Sequence, residues 1–443
     1  MQHVIPRLAF FASKFAFCNL GHRAAALLSI SLGIVASLQI MSPDRLLSCS
    51  TALSELRLVD KEVRYGTKQY SADDKPRPAP VLVGAPLPVA SVPEKIKSPG
   101  GWEENAYTGP GEQSVFKSPH HDRLLQLIES TRGIDDTNTG AMDYKLWYRI
   151  SRDGGKSYSE LKPLIQKGDG YDYRHPIAGV WVGTNSFVFG GPIVGAYNGE
   201  ILVPTYRWPL DADRKRLNPH GAYTYMESGV LIGKWTEDGS DVEWDSGQFV
   251  RPEAEQSTRG SDESTIAELK TPGHFLMVAR GSNQNKPDFP GRKWFSISKD
   301  YCRTWTKPIP WTYTNGEPFF SPAAQSTLIR SSKNNRLYWI GNISPKNPEA
   351  NYPRFPLVMG EIVEASGLLI QASILTIDDR NPEHDSEKMQ LSNFRTTEDP
   401  KTGNILITLT RLDDEKLPPK DDPKTWYQGP PNWYLIEVPG TDP

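Results

Sequence analysis

Three cysteines in 443 residues are too few for a disulfide framework or a four-cysteine zinc site. A dominant charge is also missing: 50 Lys and Arg face 53 Asp and Glu, a net charge of −3. No strong basic field results, so a nucleic-acid partner is not expected. Neither His-Glu-x-x-His nor Gly-x-Ser-x-Gly occurs in the chain, which removes two common hydrolase signatures. No metal and no cofactor are expected. After Gly101 no helical period is sustained over about 12 residues, which argues against a helical bundle. The 12 Trp and 18 Tyr exclude the opposite extreme, a chain too poor in apolar mass to fold. Pro and Gly together make about 17% of the chain, high for an all-helical protein and below the level of a disordered one.

The N-terminus carries no acid before Asp44, and Arg7, Lys14 and Arg23 precede an uncharged run from Ala24 to Met41. A basic flank followed by an apolar stretch is the layout of a secretory signal, and the run is also long enough for a single anchor. Residues 1–44 are therefore expected to be a signal peptide or membrane anchor. The protein is expected to be exported: periplasmic, secreted or held outside the cytoplasm, touching membrane only through that anchor. Leu46-Leu47-Ser48-Cys49 faintly resembles a lipoprotein box, with Asp44 and Arg45 where such boxes are apolar. Residues 45–100 read as a tether, because Lys75 to Pro99 holds seven prolines and such stretches favour extended, semi-rigid spacers.

From residue 101 to 443 the texture changes to short runs bounded by Gly, Pro, Asn and Asp. Lys145–Ile150, His274–Ala279 and Arg336–Ile340 have strand length. Many short strands suggest a sandwich, barrel or propeller, and some 340 residues are too many for one sandwich. A turn motif recurs among them. Ser151-Arg152-Asp153-Gly154-Gly155-Lys156-Ser157-Tyr158 matches Ser298-Lys299-Asp300-Tyr301-Cys302-Arg303-Thr304-Trp305, with Asp and aromatic five apart in both. Thr236-Glu237-Asp238-Gly239 with Trp244 is a degenerate third copy. The carboxylate can accept bonds from turn N–H groups, and the aromatic can plug the base of the hairpin. Cys302 inside such a turn reads as a packing residue. These turns resemble the Asp-box (BNR) repeat of the sialidase-like family. The resemblance implies an all-β, six-bladed β-propeller over residues 101–443, here a divergent member, acting on carbohydrate as a monomer.

The resemblance also implies a glycoside hydrolase chemistry, nominally exo-α-sialidase: arginines clamp an acidic sugar, a Glu activates a Tyr nucleophile and an Asp serves as acid/base. Glu263-Ser264-Thr265-Ile266-Ala267-Glu268-Leu269, followed by Ala279-Arg280-Gly281, is similar to the segment holding the activating Glu and the second clamp arginine. Arg354, in Asn351-Tyr352-Pro353-Arg354, is similar in placement to the third. Asp135 in Arg132-Gly133-Ile134-Asp135-Asp136 stands where the acid/base is expected, with Asp136 as the reserve. Two departures accompany these matches. The first clamp arginine has no counterpart near Gly111–Val115, where Glu112 stands. The stretch Gln390–Arg395, where the nucleophile belongs, has no Tyr. Two other readings follow from those gaps: a polysaccharide lyase or other uronate-directed enzyme on the same scaffold, and a non-catalytic glycan-binding propeller. Trp181, Trp208, Trp294 and Trp311 could stack on sugars, although packing is the commoner role of each.

Overall fold

The computed structural model describes residues 55–64, 77–80, 87, 89–107, 114–119, 122–133, 142–413 and 432–440. The expected leader, Asp135 and Asp136, and Glu112 lie outside them.

The described chain is all-β, with one short 3-10 turn at Gln371–Ser373. Its strands form antiparallel sheets that follow one another along the chain. Sheet I joins Lys95–Lys97, Glu103–Tyr107, Leu124–Gly133, Met142–Ser151 and Lys162–Pro163, with Val115–Lys117 also on Leu124–Gly133. Sheet II joins Phe187–Phe189, Ile201–Arg207, Glu227–Trp235 and Val242–Ser246. Sheet III joins Asp262–Glu268, Phe275–Arg280, Lys293–Ser298 and Ile309–Pro310. Sheet IV joins Thr327–Arg330, Leu337–Asn342, Leu357–Val363 and Leu368–Leu369. Sheet V joins Arg395–Glu398, Ile405–Leu409, Asn432–Glu437 and Arg57–Glu62.

Period-two alternation explains how these sheets stack, because successive side chains of a strand point to opposite faces. In Phe275–Arg280, Phe275 and Met277 pack with Leu202 and Ile232 of sheet II. Their neighbours Leu276 and Val278 pack with Leu328, Trp339 and Val358 of sheet IV. In Leu337–Asn342, Leu337 and Trp339 face sheet III, while Tyr338 and Ile340 face Ile405, Ile407 and Tyr434 of sheet V. Sheets I and II meet through Leu125, Tyr148, Phe187, Ile201 and Trp244. Each inner sheet is thus buried on both faces between its neighbours, as blades are in a β-propeller. Among the described residues there are five such sheets and one two-stranded ladder, Met389–Gln390 with Leu412–Asp413, rather than six equal blades.

The two full copies of the turn share one geometry. Asp153 Oδ1 accepts from the Ser157 N–H at 2.9 Å and from Ser151 Oγ at 2.8 Å. Asp300 Oδ1 accepts from the Thr304 N–H at 2.9 Å and from Ser298 Oγ at 2.8 Å. In the third copy Asp238 Oδ1 accepts from Thr236 Oγ1 at 2.8 Å and from the Ser240 N–H at 3.0 Å. All three turns lead into the last strand of a sheet. Cys302 is buried and unbridged, within the apolar layer between sheets II and III.

One expectation is corrected. Residues 45–100 are not wholly a tether: Arg57–Glu62 is the fourth strand of sheet V, antiparallel to Asn432–Glu437, and Lys95–Lys97 is an edge strand of sheet I. Leu58 packs against the core of sheets IV and V. The prolines between these strands dominate the composition and hide the short alternating run.

Candidate active site

The antiparallel register of sheet III aligns Asp262, Arg280 and Lys293 across three strands. A regular strand would send Asp262 and Glu263 to opposite faces. Here the pairing slips between Asp262 and Thr265, and Glu263 adopts φ 41°, a left-handed conformation costly for a residue with a Cβ. Such a bulge re-aims a side chain. As a result both neighbouring carboxylates reach one guanidinium: Glu263 Oε2 lies 2.5 Å from Arg280 Nη1 and Asp262 Oδ1 lies 3.6 Å from Arg280 Nε.

Two further arginines converge on this pair. Arg259 enters from the segment before sheet III, and its Nη2 lies 3.1 Å from Asp262 Oδ2. Its Nε and Nη2 also donate to Thr224 Oγ1 at 2.9 and 2.6 Å. The next residue, Gly260, has φ 62°, and a Cβ there would stand 2.0 Å from the Met226 carbonyl oxygen. The close backbone approach that presents Arg259 therefore requires glycine. Arg354 comes from the segment before Leu357–Val363. Its Nη1 donates to Gln390 Oε1 at 2.8 Å and Ser392 Oγ at 3.0 Å, and its Nη2 donates to the Ala323 carbonyl at 2.8 Å. The wholly buried Asn342 fixes that segment by donating to the carbonyls of Arg354 and Pro356, both at 3.1 Å. All three arginines are buried, whereas the Glu263 side chain keeps 30% of its surface exposed, so Glu263 is the acidic group that meets solvent.

The electrostatics follow from this packing. Burial alone would raise the Glu263 carboxyl, but Arg280, then Arg354 and Arg259, hold it below the ordinary carboxylate range. Burial instead pushes Asp262 up, against the pull of Arg280 and Arg259. Tyr206, one residue before the end of Ile201–Arg207, lies near enough to feel the charges of the same pair. Burial and the charges of Glu263, Asp262 and Glu129 push its phenol well above its usual value. A neutral tyrosine is thus set against an ionised carboxylate. Three guanidiniums against two carboxylates leave the cluster positive, which suits an anionic ligand that arginine forks can bind in bidentate fashion. Among the described residues, no group of three or more His, Cys, Asp or Glu could hold a metal ion.

Of the residues expected from sequence, Glu263, Arg280 and Arg354 are brought together, and Asp135 lies outside the described residues. Gln390 and Ser392, in the stretch that lacks a Tyr, are the partners of Arg354. Sequence reasoning missed Arg259, Tyr206 and Lys293. Trp294 and Trp311 are core residues, 2% and 0% exposed. Trp181 stacks on His175 and Trp208 on Tyr144, with ring centroids 4.8 and 6.1 Å apart.

No family model and no curated protein matches the chain. Among solved structures, it is similar to the Hadza microbial sialidase Hz136, at 13% identity and TM-score 0.44 over 69% of this chain and 50% of that one. It is similar to Trypanosoma rangeli sialidase at 13% identity and TM-score 0.42, over 72% of this chain and 43% of that one. It is similar to the K499G mutant of the NanB sialidase from Streptococcus pneumoniae at 14% identity and TM-score 0.42, over 86% of this chain and 56% of that one. The chain spans about half the length of these three proteins.

Proposed function

We propose that this protein is an exported, sialidase-like glycoside hydrolase that removes a terminal acidic sugar from a glycan. The observation that carries the proposal is the convergence on Glu263. Arg259, Arg280 and Arg354 arrive from separate segments to surround a carboxylate that is itself aimed by a strained bulge. Tyr206 feels the charge of the same carboxylate. In this reading the arginines around Glu263, Arg354 and Arg259 foremost, take the sugar carboxylate. Glu263, ionised at neutral pH, accepts the phenolic proton as Tyr206 attacks the anomeric carbon. That transfer overcomes a phenol that burial keeps protonated. Asp135 remains the proposed acid on the leaving group. Six blades, a leader in residues 1–44 and a monomeric state belong to the same proposal.

The test is turnover of a fluorogenic α-sialoside by the full-length protein, with folding checked by circular dichroism. Release of fluorophore, reduced about a thousandfold by Tyr206→Phe, is the expected result. The folded protein failing to turn over the sialoside would overturn the exo-sialidase reading. An ultraviolet-absorbing unsaturated product from a uronate polymer would replace it with a lyase.

A further inference from the structure

Lys293 is the one charged group of the cluster that its register neighbours do not explain. It opens Lys293–Ser298 opposite Arg280, which is itself opposite Asp262. Its side chain is fully enclosed at 0% exposure. Its ammonium donates to the carbonyl of Ala324, next to the Ala323 carbonyl that Arg354 uses. Two cations, one on sheet III and one on the segment before Leu357–Val363, thus hang on consecutive carbonyls of the buried Ala323-Ala324 step, with a third, Arg280, opposite Lys293 in register. Both acidic groups of the neighbourhood, Asp262 and Glu263, are shared with the arginines, and Pro322-Ala323-Ala324-Gln325 brings no ionisable side chain.

We propose that Lys293 is the titratable member of this cationic cluster, a positioning residue that takes up a proton when an acidic sugar enters the site. The inference rests on the acidic-sugar reading above. Arginine does not release its proton at any ordinary pH, whereas a buried lysine readily does. Burial, reinforced by Arg280 and Arg354 and partly opposed by Glu263 and Asp262, brings Lys293 down to about 7 in the free protein. An anion seated on Arg354 and Arg259 adds negative charge to the same enclosed space and so favours the ammonium. The sign follows from linkage. The bound state holds the proton more tightly, so affinity is full below about pH 7 and declines as pH rises through the free-state value. A shift of about one unit on binding corresponds to a factor of roughly ten.

The experiment is calorimetric titration of the full-length protein with free sialic acid across neutral and mildly alkaline pH, in two buffers of different ionisation heat. We expect proton uptake that peaks between about pH 7 and 8, with affinity falling roughly fivefold to tenfold on the alkaline side. Lys293→Arg should hold its affinity on that side and take up no proton. Lys293→Met should bind weakly at every pH, also without uptake. Should neither variant fold, the wild-type profile decides alone. Binding that is independent of pH, or uptake that persists in Lys293→Arg, overturns this inference and leaves the acidic-sugar reading standing. No binding at any pH overturns that reading and the inference with it.

Discussion

At the scale of single residues, Arg280 and Arg354 call for different tests because their partners differ. Arg280 compensates two carboxylates, and truncating it would leave Asp262 buried without its share of positive charge, a change that typically costs about 3–5 kcal/mol. Arg280→Ala is therefore expected to lower the melting temperature and the yield of folded protein, which thermal denaturation would show. Arg354 donates to Gln390, Ser392 and the Ala323 carbonyl and helps hold the Glu263 carboxylate ionised. Arg354→Lys retains the charge and loses the fork. It is expected to raise KM roughly tenfold to a hundredfold with little change in kcat, read from the dependence of rate on sialoside concentration. Glu263→Gln removes the group that accepts the proton while keeping its shape, so kcat should fall roughly a hundredfold or more, with KM nearly unchanged. What could be read in the sequence divides along similar lines. Glu263 and Arg280 sit in one hairpin, and it was the resemblance of that segment to the sialidase-like family that singled them out. Arg259 and Tyr206 were hidden, because nothing in Ile201–Arg207 separates a Tyr that packs from one that feels carboxylates of the neighbouring sheet. Lys293 at the head of a strand reads as an outward charge until its full enclosure is seen.

At the scale of elements, the recurring turns separate stability from chemistry. Asp300 ties Ser298, Thr304 and the backbone between them into the link before Ile309–Pro310. Burial would raise its carboxyl, but the bonds from Thr304 and Ser298 hold it below its ordinary value. Each such bond contributes on the order of 1 kcal/mol net. Asp300→Ala is thus expected to lower the melting temperature by a few degrees while leaving sialoside kinetics unchanged, since the carboxylate's bonds to Ser298 and Thr304 stay within its own turn. Loss of kcat without loss of stability would contradict this assignment. The turns were legible in the sequence because their chemistry is local: an Asp, a hydroxyl and an aromatic at fixed spacing close one hairpin. The bulge at Glu263 was not legible, because its register slip is set by how Asp262–Glu268 pairs with Phe275–Arg280.

At the scale of the molecule, sheet V is built from both ends of the described chain. Arg57 pairs in register with Glu437 and Glu62 with Trp433, and the Arg57 guanidinium meets the Glu437 carboxylate. Removing residues 1–53 leaves sheet V whole and sets the reference melting temperature. Removing residues 1–64 should destabilise the protein, strip Leu58 from the core and leave Asn432–Glu437 as an open edge prone to self-association. Thermal melting and light scattering on the two truncations would check this. The succession of short strands and turns was enough to suggest a bladed architecture. The N-terminal contribution was not, since six alternating residues upstream of a proline-rich stretch carry no sign of a partner 370 or more residues away.

That pairing also sets a schedule for biosynthesis. Sheets II to IV are assembled from consecutive segments, and each can close as its last strand leaves the ribosome. Arg57–Glu62 is among the first of the described strands to be made, yet its place exists only after Asn432–Glu437 has emerged. Contacts of such long sequence separation form late and slowly. A nascent chain of this protein therefore carries an unmatched strand through nearly the whole of its synthesis, and a ribosome stalled before residue 432 would release a product that cannot complete sheet V.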